Sequence, residues 1–145
     1  MARVSTFLNF SRSTEAAFLF YKSVFRTEFT KPFIRFSDMP PQPGQPPLTA
    51  ADKNLVMHVE LPILGGHALM GTDAPESMGL TVTPGNNVHL NLEPDTRAEA
   101  ERLFHALAAG GKIEMPLQDM FWGAYFGSLV DRFGIHWMVN CANKA

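Results

Sequence analysis

Two short stretches of the chain set chemically able side chains at every second position. Asn87, His89 and Asn91 alternate in one, and His136, Met138 and Asn140 alternate in the other. On a strand each set shares one face while an apolar set takes the other. An imidazole on such a face can accept a proton or bind a metal ion, and the carboxamides can position substrate oxygens. The competing reading is a solvated sheet face whose histidines are merely hydrogen-bonded. His58 and Glu60 form a further i,i+2 pair, suited to two metal ligands or to a base with its orienting carboxylate. A metal would need a third protein ligand from another strand, such as His89 or Asp73. Otherwise the pair belongs to a polar cross-strand ladder.

Asp119, Phe121, Trp122 and Tyr125 lie in a glycine-punctuated aromatic segment. This is either a wall that stacks on a ligand, with Trp122 and Tyr125 each offering a donor, or a packed loop that completes a core or a dimer interface. Asp131 and Gly134 suit the two ends of a tight turn rather than catalysis. His67, after Gly65-Gly66, and His105, off the apolar stripe of a helix, read as bystanders. Met57, Met70 and Met138 fall on strands and suit an adaptable pocket wall or core filling. Cys141 has no base beside it in sequence to activate a thiolate.

The bulk properties narrow the classes. Twelve Lys and Arg face 14 Asp and Glu over 145 residues, for a net charge of −2. No run of basic residues matches a phosphate backbone, so nucleic acid is not an expected partner. No segment has the apolar length of a signal peptide or a membrane span, and a membrane is not expected either. One cysteine cannot make an internal disulfide, which fits a reducing, cytoplasmic location. The length suits one domain.

The elements that must position these residues come from periodicity. Residues 4–10 alternate as a strand. Ser11, Ser13 and Thr14 offer N-cap oxygens to a helix with Ala17, Phe20, Tyr21 and Val24 on one face. Residues 29–36 have strand composition with Pro32 marking an edge or bulge. The proline-rich stretch 37–54 reads as a mobile loop. Residues 56–62 and 67–72 alternate around a Gly-Gly turn, and 74–86 form a connector. The pattern then restarts with a strand at 87–92. A capping box at Thr96 and Glu99 opens a helix with Ala100, Leu103, Phe104 and Leu107 as its stripe, ended by Gly110-Gly111. Strands follow at 112–115, 125–130 and 135–141. The order βαβββ thus occurs twice, over 4–73 and 87–141, as expected of an internal duplication visible in order rather than in residue identity. Neither half alone buries its helix and sheet well, so an α+β domain with two combined modules is expected.

The duplicated order is joined by motifs. These are Leu8-Asn9-Phe10, Ala17-Phe18, Phe20-Tyr21-Lys22, the run from Met70 to Pro75, and above all Pro116-Leu117-Gln118-Asp119-Met120-Phe121-Trp122-Gly123 with Phe126-Gly127 and Asp131-Arg132-Phe133-Gly134. Together they resemble the PhnB-like branch of the glyoxalase/bleomycin-resistance/dioxygenase, or vicinal oxygen chelate, superfamily, over nearly the whole chain. The resemblance implies two βαβββ modules whose curved mixed sheets enclose a cavity, and a homodimer. It also implies, for the superfamily's enzymes, a divalent metal held by one His or Glu from each of four strands, acting as a Lewis acid. Carried over strand by strand, those ligand positions fall near Thr6, Met70 or Gly71, Asn87 and Met138, none of them a ligand type. A slip of two residues would bring in His89, Asn140 or His136 without completing a set. The expectation is therefore a small organic molecule bound in the cavity, without the usual metal set. Asn87, Asn91, Trp122, Tyr125, His136 and Met138 would contact it. The alternative is a metal-dependent lyase, isomerase or dioxygenase with the non-standard set His58, Glu60 and His89. The family is also often labelled a ubiquinone methyltransferase. An S-adenosylmethionine enzyme of the common kind needs a Gly-rich strand-to-helix turn, and the sequence offers none.

Overall fold

The alternating N-terminal segment forms β1 (Thr6–Phe10) and passes into α1 (Thr14–Phe25). In this computed structural model, which describes residues 1–40 and 43–142, the chain divides into two units, Met1–Thr83 and Pro84–Ala145. The first unit continues through β2 (Ile34–Arg35), the single-turn helix α2 (Ala50–Lys53), β3 (Val56–Pro62) and β4 (Ala68–Asp73). Its sheet runs β1-β4-β3-β2, with β1 parallel to β4 and the other pairs antiparallel. The second unit repeats the plan with β5 (Leu90–Leu92), α3 (Arg97–Ala108), β6 (Lys112–Asp119), β7 (Tyr125–Val130) and β8 (His136–Cys141). Its sheet runs β5-β8-β7-β6, again with the first strand parallel to the last. Both units are βαβββ, and the α+β class read from the sequence stands. Among the described residues no helix is long and apolar enough to cross a membrane.

Each helix covers one face of its own sheet. In the first unit Ala17, Phe18, Tyr21 and Val24 of α1 are buried with Leu8, Val59, Leu61 and Leu69 of the strands. Gly71 is needed there, because a Cβ on it would stand 2.5 Å from the Phe18 ring. In the second unit Ala100, Leu103, Phe104 and Leu107 of α3 are buried with Leu129, Trp137 and Val139. Gly127 leaves room for Phe104, whose ring lies 2.8 Å from where its Cβ would be. Thr96 caps α3 as its sequence predicts, accepting the Glu99 N–H at 3.1 Å. The cap of α1 differs from expectation. Ser13 makes no side-chain cap bond, and the buried Asp73 of β4 accepts the Thr14 N–H instead, at 3.1 Å.

Several segments depart from the expected boundaries, among them the strand expected at 87–92, which forms only at Leu90–Leu92. Residues 29–36 form strand only at Ile34–Arg35, with single backbone bonds from Thr30 to Glu60 and from Phe36 to Leu55 on either side. Strand β6 extends past residue 115, through Pro116 to Asp119, as the outer strand of its sheet with two register shifts. An edge strand tolerates proline because one side of it has no ladder bond to lose. The stretch 37–54 is not wholly a loop, although Pro41 and Gln42 lie outside the described residues. It holds α2 and a 3-10 turn at Phe36–Asp38.

A polar clasp ties α2 down. Arg12 donates to Asp52 and to Glu76, both at 2.9 Å, and Ser77 donates to the second Asp52 oxygen at 2.6 Å. The Ser77 hydroxyl first, and then the Arg12 guanidinium, hold the Asp52 carboxyl below its ordinary range. A carboxyl depressed by folding stabilises the native state above its unfolded pKa of about 3.9. That contribution fades as pH falls through the lower folded value. The expected result for Asp52→Asn is lower stability at pH 7 and a shallower decline in acid than the parent shows, read from urea midpoints at pH 7 and pH 3. Parallel declines in the two proteins would remove the clasp from the account.

Candidate functional site

The sheet face of the second unit turned away from α3 collects the polar side chains. Register places His136 of β8 across from Val130, Met138 across from Ser128, and Asn140 across from Phe126. The intervening Trp137, Val139 and Cys141 are buried on the helix side. On the other flank of β8, Leu90 pairs with Trp137 and Asn91 with Met138. His89, one residue before β5, therefore lies beside His136, with ring centroids 5.1 Å apart at 67°. The alternation read in the sequence thus holds for His89, Asn91, His136, Met138 and Asn140. It fails for Asn87, which is exposed in a bend before β5.

Glu114 completes a cluster that the sequence did not reveal. From β6 its Oε1 reaches 3.7 Å from His89 Nε2 and 3.6 Å from His136 Nδ1. The three donor atoms all lie within 4.8 Å of one another. Neither contact is a hydrogen bond by distance. His136 Nδ1 and Asn140 Oδ1 are both buried without a hydrogen-bond partner among the described residues. Leaving such a group unmade costs on the order of 1–3 kcal/mol, so β8 carries two unmet polar demands on one face, four residues apart.

Aromatic side chains stand at the Asn140 end. The turn after β6 closes with Gly123 N–H donating to the Met120 carbonyl at 3.0 Å. It presents Phe121, 96% exposed, and Trp122, 53% exposed. The Trp122 ring meets Phe126 at 5.9 Å, and Phe126 is the residue opposite Asn140. Tyr125 is a correction to the expected contact set, because it belongs to the helix side. Its hydroxyl donates to Glu101 of α3 at 3.0 Å, and Arg97 stacks on its ring at 3.8 Å. Burial, then Glu101, push the phenol above its ordinary range, so it keeps its proton. Asp119 joins this network through a two-bond pairing with Arg97 at 2.6 and 3.1 Å.

His58 and Glu60 lie on β3 in the first unit. Glu60 pairs with Arg3 at 3.3 Å, and the His58 ring stands 6.1 Å from that of Phe7. Among the described residues the one three-residue group able to hold a metal does not include them. His67, expected at the surface, is half-buried and shares a 2.9 Å hydrogen bond with Thr6, while His105 is exposed. The four positions at which the resemblance places metal ligands offer only Thr6, Met70 or Gly71, Asn87 and Met138. A hydroxyl already bonded to His67, a thioether or glycine, an exposed carboxamide and a second thioether do not fit a hard or borderline dication.

Paired βαβββ units with the first strand of each sheet parallel to its fourth define the glyoxalase/bleomycin-resistance/dioxygenase fold. A solved enzyme of that superfamily from Burkholderia phytofirmans superposes with a TM-score of 0.62 at 21% identity, covering 95% of this chain and 98% of its own. The chain belongs to the PhnB-like family whose model, described as 3-demethylubiquinone-9 3-methyltransferase, matches residues 2–140. Protein YjdN of Escherichia coli is 30% identical over 97% of this chain and 96% of its own. A crystal structure from Pseudomonas aeruginosa is 34% identical with a TM-score of 0.81, covering 97% of this chain and 98% of its own. The PhnB protein of Bacillus cereus is 29% identical with a TM-score of 0.73, covering 97% of this chain and all of its own.

Proposed function

We propose that the protein binds a small organic molecule on the polar face of the second sheet. The observation that carries this reading is Asn140 Oδ1, a buried acceptor without a partner among the described residues. Across from it on β7 stands Phe126, against whose ring Trp122 lies. A ligand with an aromatic or apolar body and one hydroxyl or N–H donor would satisfy the acceptor while its body covers the rings. Met138, half-buried between Asn140 and His136, offers a soft wall that adapts to shape. The homodimer and the cytoplasmic location implied at the outset belong to the same reading. Sedimentation of the parent and of Trp122→Ala checks the first.

Methyl transfer, the activity in the family's description, finds little support. In this chain β1 leads into α1 through Ser11-Arg12-Ser13, and both sheets are mixed. The common S-adenosylmethionine site instead sits at a Gly-rich turn of a parallel sheet. The alternative of a metal-dependent lyase, isomerase or dioxygenase using His58, Glu60 and His89 is weakened, because Glu60 already pairs with Arg3.

A screen of small hydroxylated aromatics by amide and indole NMR is the direct test. Hits should shift the Trp122 indole, the Asn140 side chain and residues 136–140. Asn140→Leu should weaken those hits about tenfold or more, the worth of one buried hydrogen bond. The same change should leave the fold as stable as before or slightly more so, since it removes an unmet polar group. Hits that map elsewhere, or that bind Asn140→Leu as tightly as the parent, would sink the proposal.

A further inference from the structure

We infer that His89, Glu114 and His136 form a binding site for one transition-metal dication, wholly within the second unit. This goes beyond the organic-ligand reading and does not depend on it. Donors come from three strands or strand ends: His89 beside β5, Glu114 on β6 and His136 on β8. One carboxylate oxygen faces both rings, 3.7 Å from His89 Nε2 and 3.6 Å from His136 Nδ1. Bonds of about 2.0–2.2 Å to a shared tetrahedral ion would set such donors roughly 3.3–3.6 Å apart. The two carboxylate–imidazole separations lie at or just beyond that range, and the three donor atoms all lie within 4.8 Å of one another, so side-chain rotation would close the set on an ion. They are too long for hydrogen bonds, so the three groups converge without satisfying one another.

His136 supplies the second observation. Its Nδ1 is buried and has no hydrogen-bond partner among the described residues, yet it stands 3.6 Å from the Glu114 carboxylate. A neutral imidazole with that lone pair toward the ion meets the need directly. Two imidazoles and one carboxylate suit Zn, Ni, Co or Fe(II) far better than Mg or Ca, which prefer all-oxygen shells. Three protein donors leave at least one coordination position for water or a ligand oxygen.

The test uses the untagged full-length protein, stripped with chelator and exchanged into chelator-free buffer. Titration with Co2+ should give saturable visible absorption at one equivalent per chain, displaced by one equivalent of Zn2+, and a higher melting temperature for the loaded protein. Glu114→Gln, His89→Ala and His136→Ala should each weaken Co2+ binding about 100-fold or more, beyond what outer-shell partners carry. Glu114 lies at an exposed edge, so Glu114→Gln keeps the test alive if a histidine variant misfolds. His58→Ala and His105→Ala should bind as the parent does. Absence of saturable absorption overturns the inference. So does binding that the three cluster variants leave within twofold of the parent, or that His58→Ala abolishes. None of these results bears on whether Asn140 binds an organic donor, which is read separately on metal-free protein.

Discussion

Asp131→Ala is expected to destabilise the second unit by about 3–5 kcal/mol, the sum of several orphaned buried donors. The carboxylate is 3% exposed. Its Oδ1 accepts the Phe133 and Ile135 N–H groups at 2.8 and 3.1 Å, and Oδ2 accepts the Trp137 indole N–H at 2.9 Å. Trp137 is fully buried, so water cannot replace that last bond without opening the core. Asp131→Asn is no rescue, because it sets an amide donor against one of these donors and should still cost about 2 kcal/mol. His136 lies between two residues that Asp131 holds, Ile135 and Trp137, so the variant also loosens the start of β8 and the imidazole on it. Urea unfolding followed by Trp137 fluorescence reads the stability, and amide exchange over residues 125–141 reads the location. A loss below 1 kcal/mol, or exchange quickened mainly in residues 6–73, would contradict this account.

Much of the fold is legible because hydrophobic period and turn residues agree. Alternation in 56–62, strand composition in 125–130, and the apolar stripes of 14–25 and 97–108 reproduce β3, β7, α1 and α3. The misses have local causes. Residues 29–36 have strand composition, but a ladder needs a partner in register, and β3 bulges so that Ile34 meets His58 while Arg35 meets Val56. Ser11, Ser13 and Thr14 all look like caps, yet a carboxylate 59 residues further along serves the helix end. Nothing local in the sequence announces that partner.

The candidate site divides the same way. Period two is enough to put His89 with His136 and Asn140, because each strand is apolar on its other face. It fails for Tyr125, since Tyr125-Phe126-Gly127-Ser128 has no polar face to choose. The register of Tyr125 with Cys141, and the room Gly127 leaves for Phe104 of α3, settle which side is which. Glu114 was missed because β6 shifts register between Ile113 and Met115 and again before Gln118. Each shift resets which residues share a face, so alternation along β6 carries no information about Glu114. The available signal is an acidic residue on a bulged edge strand beside a histidine pair.

The mirror experiment in the first unit separates a borrowed cap from a local one. Asp73, 3% exposed, accepts the Thr14 N–H through Oδ1 at 3.1 Å and the Val56 N–H through Oδ2 at 2.8 Å. It therefore joins the start of α1, the start of β3 and the end of β4 at one buried carboxylate. Its charge also faces the positive end of the α1 dipole. Asp73→Ala should cost about 3–4 kcal/mol, and Asp73→Asn about half that, because the amide satisfies one backbone donor and opposes the other. An N-cap serine replaced by alanine ordinarily costs about 1 kcal/mol. Here Ser13→Ala should cost under about 0.5 kcal/mol, since that side chain makes no cap bond. The ratio of the two losses, taken from urea midpoints, is the decisive quantity. If Ser13→Ala approaches Asp73→Ala, the helix is capped locally after all, and the tie between α1 and the sheet through Asp73 must be abandoned.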